Sequence, residues 1–166
     1  MPQITMPQIT IRQIIKTDNA PIAKIIRQSL IDFNAAKPGT VFNDPTTDNL
    51  FELFKAPKSH YFIALQGNTV IGGCGLYPTL NLPSNTCELV KLYLHLNFRG
   101  KGHGKLLLQK TMQKATELGY QFIYLETMPE LKAAIPLYQK LGFTYLPNAL
   151  GNSGHTSCNV FMVKAL

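Results

Sequence analysis

The sequence predicts a mixed α/β fold, a mostly antiparallel sheet of about seven strands with helices on its faces. Three observations predict it. β-Prone runs and stretches with apolar residues at helical spacing follow one another in the order β-α-α-β-β-β-α-β-α-β-β. Residues 60–65 and 69–76 flank a Gln66-Gly67-Asn68 turn and form an antiparallel hairpin. The strands 89–96 and 121–127 are joined by a helix, and such a crossover makes them parallel.

In chain order, residues 1–7 are set aside as a start-site duplication, because Met-Pro-Gln-Ile-Thr is written twice, and 8–166 is expected to be one domain. Thr10 to Ile15 reads as a strand. Asp18 or Asn19 caps a helix from about Ala20 to Asn34, with Pro21 in its first turn and Ile22, Ile25, Ile26, Ser29, Leu30 and Phe33 at helical spacing. A loop from Ala36 to Pro45 precedes a shorter helix capped by Thr47-Asp48 and carrying Leu50, Phe51, Leu53 and Phe54. The hairpin's return strand holds Gly72, Gly73 and Gly75, a sign of a bulge or a closely approaching neighbour. After the parallel strand and a glycine turn, Leu107, Leu108, Met112, Ala115 and Leu118 stripe a helix that Gly119 stops. Glu130 to Leu141 is a further helix containing Pro136. Phe143–Leu146 and Asn159–Lys164 are the last strands, around a Gly/Asn/Ser-rich loop.

At 166 residues, 45% hydrophobic and 15% charged, the composition is that of a soluble globular domain with a sizeable core. No apolar run approaches the roughly 20 residues of a membrane span. Cys74, Cys87 and Cys158 are an odd count without zinc spacing, so reduced thiols, a cytoplasmic location and no metal are expected. The formal charge of +7 raises a nucleic-acid partner, but the basic residues are dispersed. A basic surface that attracts an anionic small molecule accounts for them; neither nucleic acid nor membrane is expected as a partner.

The chemistry-bearing stretch is Leu89 to Leu108. An apolar strand enters a turn with Gly100, Gly102 and Gly104 at alternate positions, and a helix starts at Lys105. Glycines let successive N–H groups converge on one hollow, and the helix start adds its positive dipole end. Arg99, Lys101 and Lys105 surround the same spot, so a phosphate-bearing ligand is expected there. The Walker A pattern fails, because Leu106 follows Gly104-Lys105 and Arg99 stands where its first Gly belongs. The dinucleotide G-x-G-x-x-G pattern fails because Lys105 replaces the third Gly.

Arg99-Gly100-Lys101-Gly102-His103-Gly104 resembles instead [QR]-x-x-G-x-[GA], the acyl-CoA pyrophosphate loop of the GNAT superfamily of N-acetyltransferases. Glu88 to Leu94 on the strand before it and Ala134-Ile135-Pro136-Leu137-Tyr138-Gln139-Lys140-Leu141-Gly142-Phe143, similar to A-x-x-L-Y-x-K-x-G-F, extend the resemblance. It implies a parallel strand pair splayed for the cofactor, and acetyl-CoA as co-substrate. The backbone from Arg99 through Gly100, Lys101, Gly102, His103 and Gly104 to Lys105 would hold the pyrophosphate. Leu92, Tyr93 and Leu94 would take the pantetheine arm beside a β-bulge, with the His103 ring incidental.

The resemblance also implies roles in chemistry. Tyr138 matches the acid that protonates the departing thiolate, a phenol whose pKa near 10 is close to that of a thiol. Leu131 stands where relatives often carry Asn. Pro136 either aims the Tyr138 ring or simply kinks its helix. Glu88 matches a general base; alternation puts it on one face with Val90 and Leu92, where burial would raise its pKa. Glu126, at the end of the next parallel strand, is the second candidate. His155 is a candidate acceptor contact, and a Cys158–His155 nucleophile pair is the ping-pong rival. The expected function is transfer of acetyl from acetyl-CoA to a small-molecule amine, an amino acid or related metabolite, through a ternary complex. A non-catalytic acyl-CoA sensor and a protein N-acetyltransferase are the alternatives, and homodimerisation is left open. Acceptor choice is expected from 33–54 and 147–158. Asp32, Asp44, Asp48 and Glu52 there either favour a cationic acceptor or serve as caps and surface charge.

Overall fold

The computed structural model describes residues 7–166; the duplication assigned to residues 1–7 lies, apart from Pro7, outside them. The strands are β1 (Ile9–Gln13), β2 (His60–Gln66), β3 (Thr69–Tyr77), β4 (Thr86–Leu94), β5 (Phe122–Thr127), β6 (Thr144–Leu146) and β7 (Val160–Ala165). They form one sheet in the order β1-β2-β3-β4-β5-β7-β6, antiparallel at every step except β4 to β5. Helix α1 (Asn19–Asp32) and the single turn α2 (Leu50–Leu53) pack on one face; α3 (His103–Glu117) and α4 (Ala134–Lys140) pack on the other.

The helical stripes do the packing the spacing predicts. Ile22, Ile26 and Leu30 of α1 are fully buried with Ile63 of β2; Leu107 and Leu108 of α3 are fully buried with Ile71 and Leu76 of β3. Each such side chain contributes about 1.5–3 kcal/mol through removal from water.

Three local expectations are corrected. Asp18 does not cap α1: its carboxylate accepts from Arg12 at 2.7 Å and from the Ile15 N–H at 2.8 Å. Asn19 turns away too, accepting from the Phe51 N–H at 2.8 Å, so α1 is anchored by β1 and α2 rather than by a local cap. The second helix is one turn, preceded by a 3-10 segment Pro45–Asn49 that Asp44 starts by accepting from the Thr46 N–H at 2.9 Å, while Asp48 pairs with Arg27. Finally, α4 begins at Ala134, not Glu130. Pro136 therefore lies in the first turn, where its missing N–H has no intrahelical partner to lose, and no kink is required.

The decisive feature lies in β4. Its pairing with β3 slips by one residue, with Gly73 opposite Tyr93 but Gly75 opposite Val90, and Lys91 takes a positive φ of 52°. That conformation costs a residue with a Cβ about 1–2 kcal/mol. The Tyr61 hydroxyl offsets it by donating to the Lys91 carbonyl at 2.8 Å in the interior. Tyr61 fits there because Gly73 and Gly75 lack side chains; a Cβ on either would sit 2.5 Å from its ring. The glycines of β3 thus make room for the ring that fastens the bulge.

The bulge corrects the facing of β4. Val90 packs on the α1 side, but Leu92 joins Leu89 and Leu94 on the α3 side. Leu92 and Glu88 do not share a face, because the extra residue reverses the alternation.

Candidate active site

The parallel ladder of β4 and β5 pairs Thr86 with Phe122, Cys87 with Ile123 and Glu88 with Tyr124, and then stops. From Leu89 onward the strands separate around a cleft of about 330 Å³. Gly100, Gly102, Gly104 and Lys105 line one end, Leu92–Leu94, Leu137 and Tyr138 the middle, and Lys91, Glu126 and Thr127 the other end.

At the first end α3 starts without a capping side chain, behind Gly102 at a φ of 88° that glycine adopts at little cost. The first helical bond is from the Leu106 N–H to the Gly102 carbonyl. Among the described residues, the N–H groups from Gly100 through Lys105 make no hydrogen bond. Six consecutive free donors at a helix start, with Lys101 and Lys105 exposed beside them, can hold a pyrophosphate.

Arg99 has a structural task beside the one its charge suggests. Its Nε donates to the Leu94 carbonyl at 2.9 Å, its Nη2 donates to Ser29 Oγ at 2.9 Å and Asp32 at 3.2 Å, and its guanidinium lies 4.7 Å from the Phe33 ring centroid. The side chain ties the end of β4 to α1, setting the position of the turn it opens. Of the three expected cations, Arg99 and Lys105 line the cleft. Lys101 and the His103 ring do not line the cleft.

Tyr138 is 93% buried and packs against Phe143, yet it lines the cleft and its hydroxyl makes no hydrogen bond among the described residues. Burial raises its pKa, which keeps the hydroxyl protonated as a donor facing the cleft.

Beyond Lys91 a second chamber of about 50 Å³ opens, sharing Lys91 and Glu126 with the cleft and adding Glu88, Thr40, His155 and Cys158. Glu88 is 3% exposed, and its one hydrogen bond comes from the Thr79 hydroxyl at 3.5 Å. Burial, then the neighbouring Glu126, push its carboxyl up to about 8, against the opposing influence of Lys91 and Thr79. Glu126 is differently held: it accepts from the Tyr124 hydroxyl at 2.5 Å and from the Ser153 hydroxyl. His155 Nε2 lies 3.0 Å from Asp44 Oδ2, and that contact, with bonds from Thr46, holds Asp44 well below the usual carboxylate range.

The structure therefore brings Glu88, Glu126 and His155 into one chamber and places Tyr138 in the adjoining cleft. The Cys158–His155 pair is not assembled for attack. The His155 ring is directed to Asp44, its link to Cys158 is the backbone bond from the Cys158 N–H, and burial pushes the thiol up to about 12. Sequence reasoning passed over Lys91, Tyr61, Tyr124 and Ser153. A lysine in the middle of an apolar strand was the signal for the first, and Tyr124 two residues from Glu126, on the same face, for the third.

The sequence model of the acetyltransferase (GNAT) family matches residues 27–143. YjgM of Escherichia coli K12, named as an uncharacterized N-acetyltransferase, is 38% identical over 156 residues, 93% of each chain. Among solved structures, a GNAT-family acetyltransferase of Staphylococcus aureus Mu50 superposes with a TM-score of 0.81 at 20% identity, covering 96% of this chain and 99% of that one. YncA of Salmonella typhimurium, a putative acetyltransferase solved with acetyl-CoA, does so at 0.72 and 24%, covering 96% and 94%. The splayed strands and uncapped glycine turn are thus placed in a known lineage, and the protein belongs to the GNAT family of N-acetyltransferases.

Proposed function

We propose that the protein moves the acetyl group of acetyl-CoA to the amine of a small molecule by direct transfer. One observation carries this reading: the splayed β4–β5 cleft runs from the free N–H groups of the glycine turn, past Tyr138, to the chamber of Glu88. The fit to the donor is chemical. Free amides with Arg99 and Lys105 suit a pyrophosphate, and the unpaired edge of β4 suits an amide-bearing arm.

Acetyl-CoA supplies a thioester carbonyl to the attacking amine. Glu88 takes the ammonium proton, and its pKa near 8 makes it a base matched to that task around neutral pH. Glu126, already accepting from Tyr124 and Ser153, is less free to do so and orients the amine. Tyr138 gives its proton to the departing sulfur. Loops 36–44 and 150–158 are fastened over the chamber: the Ser157 N–H donates to the Gly39 carbonyl at 3.0 Å and the Ser157 hydroxyl to the Pro38 carbonyl at 2.5 Å. That closure favours a small molecule over a protein chain.

The test is thiol release from acetyl-CoA with a panel of small amines and N-terminal peptides, beside calorimetric titration with CoA. Turnover with a small amine is expected. Tight CoA binding without turnover would make the protein an acyl-CoA sensor, and turnover with peptides alone would make it a protein N-acetyltransferase. Absence of CoA binding overturns the reading altogether.

A further inference from the structure

One buried group is left without a task by the chemistry above. The Lys91 side chain is 4% exposed, opens on both the cleft and the chamber, and makes no hydrogen bond among the described residues. Its partner is Asp44 Oδ2 at 3.8 Å, beyond hydrogen-bond reach. That oxygen is already 3.0 Å from His155 Nε2, while Oδ1 accepts from the N–H and hydroxyl of Thr46. An ammonium has three donors and no acceptor capacity, and here they face the cleft and the chamber rather than a protein acceptor. The bulge holds it there: Lys91 occupies a strained φ, and Tyr61 grips its carbonyl. Strain sustained where the cleft meets the chamber points to a role in binding.

The chamber has two kinds of charge. Glu88 and Glu126 face it with carboxyl groups, and Lys91, three residues after Glu88 on the same strand, faces it with an amine whose pKa burial lowers and whose charge Asp44 and Glu88 favour. Glu88 and Lys91 line the same chamber, and each feels the other's charge. A ligand matching that arrangement carries both an amine and an anion.

Resting on the acetyltransfer reading, we propose that Lys91 binds the carboxylate of the acceptor, so that the acceptor is an amino acid whose amine is delivered to Glu88. The small chamber volume of about 50 Å³ suits a carboxylate and its neighbouring carbon better than a bulky anion. Lys91 then selects acceptors, and the bulge that opens the cofactor cleft also aims this selector.

The test compares, for the full chain, L-amino acids with their carboxamides and with the corresponding decarboxylated amines, in wild type, Lys91→Met and Lys91→Arg. Thiol release from acetyl-CoA gives kcat/KM for each acceptor. Calorimetry in saturating CoA gives the affinity for each acceptor independently of turnover. Wild type should prefer at least one carboxylate over its carboxamide by about 100-fold, since a site built around a polar group rejects analogues lacking it. In Lys91→Met that ratio should collapse toward one through a higher acceptor KM, and Lys91→Arg should recover part of it. A merely structural lysine would lower all three acceptor types alike and leave the ratio intact, which overturns the proposal. Equal use of carboxamides by the wild type, or no binding of any amino acid, overturns it too. If amino acids bind through Lys91 but no thiol is released, the acetyltransfer reading fails and the binding assignment stands.

Discussion

Replacing Glu88 with glutamine separates its two consequences, one for catalysis and one for stability. The folded carboxyl titrates at about 8 against an ordinary 4.5, because burial and Glu126 disfavour its charge more than Lys91 and Thr79 restore it. As a base it must be ionised, so below about pH 8 the reactive fraction of free enzyme falls tenfold per pH unit. Glu88→Gln should lower kcat/KM by roughly 10²–10⁴-fold at pH 8 and flatten the rising limb that wild type shows below it. For stability the sign follows from proton uptake. Between about pH 4.5 and 8 the folded chain keeps a proton that the unfolded chain has released, so stability falls as pH rises through that window. From pH 5.5 to 7.5 the loss is two pH units at about 1.36 kcal/mol each, close to 3 kcal/mol, or roughly 5–10 °C in Tm for a chain this size. Glu88→Gln lacks this proton and should lose less by about that amount, in thermal unfolding followed by circular dichroism at the two pH values. The acceptor amine also titrates, which is why the comparison with the variant matters. A variant with the wild-type rising limb and the same loss of Tm would refute both the base assignment and the buried-carboxyl reasoning.

Tyr138→Phe removes a hydroxyl that bonds to no described residue. It should leave the unfolding free energy within about 0.5 kcal/mol of wild type while lowering kcat by roughly 10²-fold or more with CoA affinity retained; equal kcat would remove the acid role. Gly102→Ala places a Cβ at a φ of 88°, where the cost is strain rather than crowding. About 1–2 kcal/mol of stability should be lost, with CoA affinity weakened several-fold in calorimetry as the N–H groups are re-aimed. Cys158→Ser should keep kcat within about threefold, because the half-buried thiol, raised to about 12, is a poor nucleophile; inactivation of the variant together with acetyl-Cys158 trapped in wild type by mass spectrometry would restore the ping-pong rival.

The parts legible in the sequence are those whose physics is local. Helical spacing in 20–34 and 105–118 marked α1 and α3, and the Gln66-Gly67-Asn68 turn marked the hairpin. Glycines at alternate positions marked the turn whose amides are free in the structure. What could not be read depends on residues distant in sequence. Arg99 reads as an anion ligand alone, and its second task, tying β4 to Ser29 and Asp32 on α1, has no local signal. Glu126 looks like a second free base until Ser153, in a loop 27 residues later, occupies it. The facing of β4 is the strongest case. Strict alternation places Leu92 with Glu88, and it would hold if β4 were regular. The irregularity is caused by Tyr61 on β2 and by Gly73 and Gly75 on β3, none of which adjoins β4 in sequence. Two consequences come from that single slip. It carries Leu92 across to the α3 side, and it turns Lys91, otherwise an unremarked lysine in an apolar run, into a buried cation at the junction of the cleft and the chamber. The glycines of β3 therefore shape acceptor recognition without touching the acceptor. Adding a methyl at Gly73 should release Tyr61 from the Lys91 carbonyl and degrade the carboxylate preference together with the bulge.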